Sequence, residues 1–542
     1  MRALAEDEGK APFFICEKLL FGACPTRRIT PSIASQRFKR GQGEGSENSA
    51  QGACWRGRAV ASEAVQKGGR WRASGKAPMG LAGSSAMSGR VVIAGAGPTG
   101  LALALLLRRQ GWEVQVVEAT PEVDERPRAV MLHARGLEIL QTLELSDDLL
   151  RKGWWQSAIA FDRSDGLRLE MRFADLPSRF PGVLNVRQPD IERTLLTALR
   201  EAGGRVERGA VVRHCRSLGS GVLVEVSRQG RCEVVEADWL FGCDGARSTV
   251  RSSLGASFEG HTVPYPYLLG EGTPFSRPLA GDVSAMLISD HGVVSWLPFP
   301  DGTVRVAGPG QGMNAVTDPM AKAQEEALQT SAFLAEQERL VADPALRIVQ
   351  VHRCANYRVH SRMANVWGRG RVWIAGDAAH VHPPAGGQAL NLGFADAEAI
   401  ALRMAGHGAP SWNTYQAERA AVAEATLELV AVAPLIESIR AARTDADLER
   451  LQTVLDLMAV RFSHLATDFA ARGADRLGSA DPRERLIVQR GRRLYGQASL
   501  QPVPDRPGWW WHPQLDGQQI QVTPDRHVRA IETMAVAVGA NA

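Results

Sequence analysis

No CxxC pair occurs in the 542 residues. The seven cysteines stand at 16, 24, 54, 215, 232, 243 and 354. That is an odd number, at spacings that suit neither a zinc site nor a disulfide framework, so reduced thiols of a cytoplasmic protein are expected. A membrane-length apolar run is also missing. The most hydrophobic segment, VVIAGAGPTGLALALLL at 91–107, is shorter than the roughly 18 residues a spanning helix needs and is broken by Gly and Pro. A strong charge of one sign is lacking too, although the formal net charge is +4. Residues 1–86 carry 14 Lys and Arg against 7 Asp and Glu, a net of +7, which leaves −3 for the rest. A slightly acidic globular part argues against a nucleic-acid surface. No internal repeat is visible.

What is present is ordinary globular composition, 44% hydrophobic and 23% charged, in a chain long enough to bury a large core. Residues 1–86 are rich in Arg, Gly, Ser and Ala without helical or alternating pattern. They read as a disordered or artefactual extension; a basic transit peptide is the rival reading, opposed by Glu6, Asp7 and Glu8. From Met87 the pattern becomes regular. RVVIA (90–94) is a strand, PTGLALALLLRRQG (98–111) a helix opened by Pro and closed by Gly, and EVQVVE (113–118) a second strand. Strand, helix and strand in about 30 residues make a βαβ unit and hence a parallel sheet. Alternating segments follow at 166–173, 222–228, 292–299 and 303–308, which suggest antiparallel sheet. Strand character returns at RVWIAGD (371–377), and helical spacing marks 395–404, 421–436 and 448–460.

GAGPTG joins the first strand to its helix, with Gly95, Gly97 and Gly100 in GxGxxG spacing and Pro98 opening the helix. The first glycine permits a tight turn, the second a close approach to pyrophosphate, and the third packing of helix on strand. Helix N–H groups and the positive end of the dipole then face the phosphates. Glu118, at the end of the second strand, is placed to bind a ribose hydroxyl, which favours NAD or FAD over the 2′-phosphate of NADP.

Two further stretches separate these dinucleotides. ADWLFGCDGARSTVR (237–251) runs a strand into Asp244 and Gly245, with Arg247 and Arg251 behind. GDAAHVHPPAGGQALNLGFADA (376–397) carries Asp377, two histidines, two prolines and a Gly-Gly. With GAGPTG, and with RPRAVMLHARGLEIL (126–140), RQPDIERTLLTAL (187–199) and WNTYQAERAAVA (412–423), they resemble the motifs of the flavoprotein aromatic hydroxylases. These are single-component FAD monooxygenases that include para-hydroxybenzoate hydroxylase, with a phenol and polyketide hydroxylase branch. The likeness covers most of 90–425.

The resemblance implies an α/β fold: a Rossmann-like FAD-binding domain with a parallel sheet, an interleaved antiparallel substrate domain and a helical C-terminal region. The expected divisions are 87–160, 185–256 and 360–420 for FAD, 161–184 and 257–359 for substrate, and 421–542 for the helical region and tail. It implies that Arg128 contacts FAD near the pyrophosphate, that Gln188 meets an adenosine-side hydroxyl, and that Asp244 and Gly245 touch FAD and are linked to NAD(P)H use. In the long loop, Gly376 and Asp377 would meet the ribityl hydroxyls, which an anion accepts well. Pro383 and Pro384 would stiffen the chain, with Pro384 shaping the catalytic pocket, and Gly386 and Gly387 would let backbone approach the flat ring. Leu390 and Asn391 would open a helix aimed at the ring edge where charge gathers on reduction.

His380 and His382 look like metal ligands at first sight, but a third ligand is wanting. Hydrogen bonding by His380 within the motif, and packing of His382 near the loop, are expected instead, with no metal. Two departures from the family pattern are Ala389, where Gly is usual, and Ala420-Ala421, where Arg-Pro is common.

The implied cycle is reduction of FAD by NAD(P)H, capture of O₂ as a C4a-hydroperoxide, and oxygen transfer to an electron-rich ring. Tyr265, Tyr267, Trp296 and Phe299 are candidates for a phenolic or polyketide-like substrate. Rival readings are another FAD oxidoreductase (epoxidase, halogenase or dehydrogenase) and a non-catalytic flavin-binding sensor. SWLPFP (295–300) lacks the WxWxIP element of halogenases. The tail after about residue 470, with WWW at 509–511, reads as a packed tail rather than the remnant of a thioredoxin-like domain.

Overall fold

The computed structural model describes residues 89–465 apart from 127, 129, 177, 277–282, 311–321 and 406–410, and beyond them only short strands between 476 and 533. The N-terminal extension inferred from composition lies outside the described residues.

Arg90–Ala94 is apolar throughout because both its faces are covered: Val91, Val92, Ile93 and Ala94 are all buried. It lies inside a six-stranded sheet in the order Gly368–Arg369, Val372–Ile374, Trp239–Gly242, Arg90–Ala94, Glu113–Glu118, Arg205–Arg208. All neighbours are parallel except the hairpin of the first two. The helix Pro98–Arg109 packs between Gln188–Glu201 and Gln388–Arg403. Parallel strands leave their carboxyl ends on one edge, where an open α/β sheet binds ligands. Gly95, Glu118, Asp244 and Gly376 all follow or end such strands, so four separate stretches of sequence meet at that edge.

The second sheet has eight strands in the order His380–Val381, Ile348–Ala364, Phe258–Pro274, Val304–Pro309, Gly292–Pro298, Ser284–Ser289, Ala158–Arg163, Arg168–Arg172. It is antiparallel except where Ser284–Ser289 runs parallel to Ala158–Arg163. The helix Lys322–Leu340 covers one face. His380–Val381 pairs with Met363 and Arg362, so the long loop of the parallel-sheet domain is itself the edge strand of this sheet.

The mixed α/β class with a parallel sheet and a helical C-terminal region agrees with the sequence reading. Two strands, Ala158–Arg163 and Ile348–Ala364, run across the divisions expected at 160 and 359. The helical pattern at 421–436 is two helices, Trp412–Leu429 and Ala433–Ala441. Pro434 lies in the first turn of the second, where its missing N–H does no harm; inside one continuous helix it would break the bonding. Among the described residues the last helix ends at Phe462, and beyond it Gln501–Pro502, Trp509–Trp511, Gln518–Val522 and Val528–Thr533 form a four-stranded antiparallel sheet.

Candidate functional site: a dinucleotide cleft

The glycines of the first loop have separate physical reasons. Gly95 has φ +100, and a Cβ there would lie 2.2 Å from the Cys243 carbonyl oxygen. A Cβ on Gly100 would lie 2.1 Å from the Gly95 carbonyl oxygen, so only glycine lets the helix sit this close to the strand. Gly97 has nothing within 4 Å of its Cβ position and faces open space. The helix beginning at Pro98 has no side-chain cap and no acidic residue in its first turn, leaving N–H donors for an anion. Glu118 accepts from the Ala96 N–H at 2.6 Å and from the Thr120 N–H and hydroxyl, both at 2.7 Å, which fixes its carboxylate at the lip of the loop.

Arg128 is half exposed and pairs with Asp124 at 2.5 Å; its carbonyl oxygen accepts from Arg305. Gln188 donates to Glu192 at 2.8 Å. Burial raises the Glu192 carboxyl, opposed by Gln188, Arg128 and Arg208, with Glu118 adding repulsion. Glu118, Arg128 and Gln188 therefore surround one buried carboxyl. Asp244 accepts from the Ser248 hydroxyl at 2.5 Å and from the Thr249 and Val250 N–H groups at 2.7 and 3.2 Å, capping the helix Thr249–Ser253. Both its oxygens serve the corner, and Gly245, at φ +75 with nothing near its Cβ position, is the open part of the motif. Arg251 ties this corner to the long loop: it donates to the Ala246 carbonyl at 2.7 Å and the Ala378 carbonyl at 2.9 Å, over the Phe258 ring.

In the long loop Gly376 has φ +58 and lies against Thr99 of the first helix. Asp377 reaches solvent on one side, while the protein crowding the others raises its carboxyl, against the pull of His380 and Arg128. The histidine question resolves into a buried chain. His380 Nε2 lies 2.7 Å from Asp396 Oδ2, and His380 Nδ1 lies 2.9 Å from His382 Nε2. Asp396 also accepts from Arg419 Nε at 2.7 Å and the Gly376 N–H at 2.9 Å. Burial alone would raise Asp396, but Arg419 and His380 hold it at about 2. Both nitrogens of His380 are thus used within the protein. Among the described residues no group of three His, Cys, Asp or Glu is arranged to hold a metal ion.

Gly386 and Gly387 have a reason within the protein itself. Their φ values are +70 and +65, and Cβ atoms there would lie 1.9 Å from Phe462 and 2.6 Å from Met131. Left-handed backbone and packing behind the loop are therefore enough to require glycine at both places. Pro384 precedes the single turn Ala385–Gly387 and is half-buried. Asn391 accepts from the His133 N–H at 2.9 Å and donates to the Met131 and Gly387 carbonyls at 3.0 and 2.9 Å, so its side chain holds the loop. Leu390 is buried and Ala389 half-buried in the first turn of Gln388–Arg403, another helix with no side-chain cap and no acidic first turn.

The aromatic candidates divide by strand alternation. Trp296 is corrected: it points with Val294, Val304 and Val306 toward Phe333 and Leu340 of the covering helix, and its indole N–H donates to the Leu346 carbonyl at 3.1 Å. Phe299 is corrected as well, being buried under the Arg187 guanidinium at 3.9 Å. Tyr267 stands on the other face with Tyr357, ring centroids 5.8 Å apart, and burial pushes the Tyr357 hydroxyl up to about 12. The Tyr265 side chain lies outside the described residues. Sequence reasoning missed Glu271, buried and bonded by Arg305 and by Arg187 at 3.2 Å. Charged residues at alternate positions of GEG and VRV were the available signal. It also missed His133 and Gln388, whose Nε2 atoms lie 2.7 and 3.0 Å from the Gly386 carbonyl oxygen.

The chain matches the family described as "FAD binding domain" over residues 89–430. It is 34% identical to a flavin-dependent monooxygenase of Mycobacteroides abscessus, over 62% of this chain and 73% of that protein. It is 32% identical to the 6-methylpretetramide 4-monooxygenase of Streptomyces rimosus, over 65% of this chain but only 62% of that protein's length. Anhydrotetracycline hydroxylase from Streptomyces rimosus superposes with a TM-score of 0.60 at 26% identity, covering 82% of this chain and 96% of that one.

Proposed function

The chain belongs to the FAD binding domain family, and from that premise we propose that it is an FAD-dependent monooxygenase hydroxylating a phenolic or polyketide-like aromatic ring with NAD(P)H and O₂. The observation that carries the reading is the meeting, at one sheet edge, of an uncapped helix N-terminus, a fixed acidic residue and the solvent-facing carboxylate of Asp377. These fit the pyrophosphate, ribose and ribityl parts of FAD in turn. Bound there, FAD supplies hydride acceptance and oxygen activation; binding, orientation and exclusion of water fall to the protein. Gly95, Gly97, Pro98 and Gly100 present backbone donors to the pyrophosphate. Glu118, Gln188 and Arg128 hold the adenosine side, with the backbone of Asp244 and Gly245 beside them. Gly376 and Asp377 take the ribityl hydroxyls. Pro384, Gly386 and Gly387 shape the wall at the ring, and Leu390 and Asn391 set the helix whose free N–H groups face its anionic edge. Tyr267 is the substrate-side aromatic that stands on the face away from the covering helix. Kinship with enzymes named for 6-methylpretetramide and anhydrotetracycline supports ring hydroxylation over halogenation or a sensor role. We place the protein in the cytoplasm, where its reductant is found; no described helix is long and apolar enough to cross a membrane.

The test is purification of the full chain, its flavin spectrum, and a screen of phenols for stimulated NAD(P)H oxidation and gain of one oxygen atom by the ring. A colourless protein that FAD cannot reconstitute would sink the cofactor assignment. Bound FAD with no phenol response would sink the hydroxylase reading alone.

A further inference from the structure

Glu271 stands on the strand Phe258–Pro274 and is 2% exposed, yet it meets three guanidinium groups. Arg305 donates to Glu271 Oε1 through Nε at 2.8 Å and again through Nη2. Arg187 donates to Oε2 at 3.2 Å, and Arg353 reaches the same oxygen at 3.4 Å from the exposed side. Burial alone would raise the Glu271 carboxyl, but Arg305 and Arg187 outweigh it and hold it below the usual carboxylate value. Stability is a weak reason for such a cluster, because apolar side chains of the same volume often serve as well or better.

The other contacts of these arginines supply a stronger reason. Arg305, 4% exposed, spends its remaining group, Nη1, on the Arg128 carbonyl oxygen. Arg187 spends Nη1 on Asp301 at 3.0 Å and Nη2 on the Thr303 hydroxyl at 2.6 Å. Its guanidinium also lies over Phe299, 3.9 Å from the ring centroid. Arg187 is therefore tied to the antiparallel-sheet side at every nitrogen and on one face. It is also the N-cap residue of Gln188–Glu201, so the same grip sets where Gln188 begins that helix. One carboxylate of the antiparallel sheet thus holds two stretches of the parallel-sheet domain that are far apart in sequence. Those stretches carry Arg128 and Gln188.

Resting on the reading of Arg128 and Gln188 as FAD contacts, we propose that Glu271 is a positioning residue for the adenosine half of FAD. It acts through Arg305 and Arg187 rather than by touching the cofactor. Those two hold the Arg128 backbone and the start of the Gln188 helix in register across the cleft. Arginine suits both places, because a lysine ammonium lacks the rigid fork that meets a carboxylate and a second acceptor at once.

The test strips FAD from the full chain and titrates it back, following flavin fluorescence. Glu271→Gln, which keeps the shape and removes the charge, should weaken FAD about tenfold, the worth of one to two hydrogen bonds. In an Arg128→Ala, Gln188→Ala background the same change should weaken FAD less than about twofold, because the contacts it positions are gone. If that background binds too weakly to titrate, Arg128→Ala alone takes its place. A merely structural role would weaken FAD by one factor in both backgrounds. If Glu271→Gln does not fold, Arg305→Lys carries the same comparison, since its charge stays while the fork is lost. Equal factors in the two backgrounds, or no weakening in the first, overturn the role of Glu271. A wild-type chain that takes up no FAD, or an Arg128→Ala, Gln188→Ala chain that binds it as tightly as wild type, instead overturns the reading beneath it.

Discussion

At the carboxyl edge of Arg90–Ala94 the cleft offers donors, the free backbone N–H groups of a helix that starts on glycine and proline. At the loop His382–Gln388 it is held instead by a buried side-chain network, in which His382 Nε2 lies 2.9 Å from His380 Nδ1 and His133 Nε2 lies 2.7 Å from the Gly386 carbonyl oxygen. The donor end is made of backbone held by local sterics, so its residues sit close together in sequence. The loop end is made of side chains tied to residues as distant as Asp396 and Phe462. One end is built by a motif, the other by a network.

Changes that unsettle the network should cost most. Asp396→Asn leaves the Arg419 guanidinium, 3% exposed, without its buried counter-charge, and should cost about 3–5 kcal/mol in urea unfolding. Because Asp396 is depressed to about 2, its contribution is present above the ordinary carboxylate value and lost only as pH falls through about 2. The penalty should therefore be the same at pH 6 and pH 8; a penalty that varies over that range would break the account.

Next comes the donor end. Gly100→Ala places a methyl 2.1 Å from the Gly95 carbonyl oxygen and should cost about 3 kcal/mol and abolish FAD retention, read from melting and from the flavin-to-protein absorbance ratio.

Acid tests the buried histidines of the network. His133 and His464 are depressed by burial to about 4 and about 3. Depressed bases bind more protons unfolded than folded, so their stability is fully present above the ordinary 6.5 and lost as pH falls toward the folded values. Each should remove up to about 1.4 kcal/mol per pH unit below that point. Melting temperature should drop between pH 6.5 and 5, and His464→Asn should flatten the slope.

Smaller effects separate the ends further. Glu118→Gln keeps the shape but loses a charge, and should weaken FAD about tenfold in a reconstitution titration with little change in melting. Trp296→Phe loses one indole hydrogen bond, about 1 kcal/mol, and should leave phenol turnover untouched because the residue faces the covering helix. Altered turnover would return Trp296 to the substrate pocket.

The donor end was legible because GxGxxG, a terminal Glu118 and an apolar strand each have a local reason that spacing alone displays. The βαβ unit and the parallel sheet followed from the same patterns. Trp296 misled because strand alternation says that a residue faces one side, not which side is covered; only the position of Lys322–Leu340 settles that. For Gly386 and Gly387 the spacing showed only the reading as glycines for a ligand; the crowding of their backs by Phe462 and Met131, distant in sequence, was not legible there.

By itself, then, the sequence determined the fold class, the dinucleotide loop and its acidic ribose residue, because those rest on backbone geometry within some 30 residues. The sequence already led to hydrogen bonding by His380 within its motif; the tertiary structure alone supplied the Asp396–Arg419 pair behind it. A histidine's chemistry depends on what each ring nitrogen meets, and here Asp396, held anionic by Arg419, stands 2.7 Å from His380 Nε2 in the buried interior.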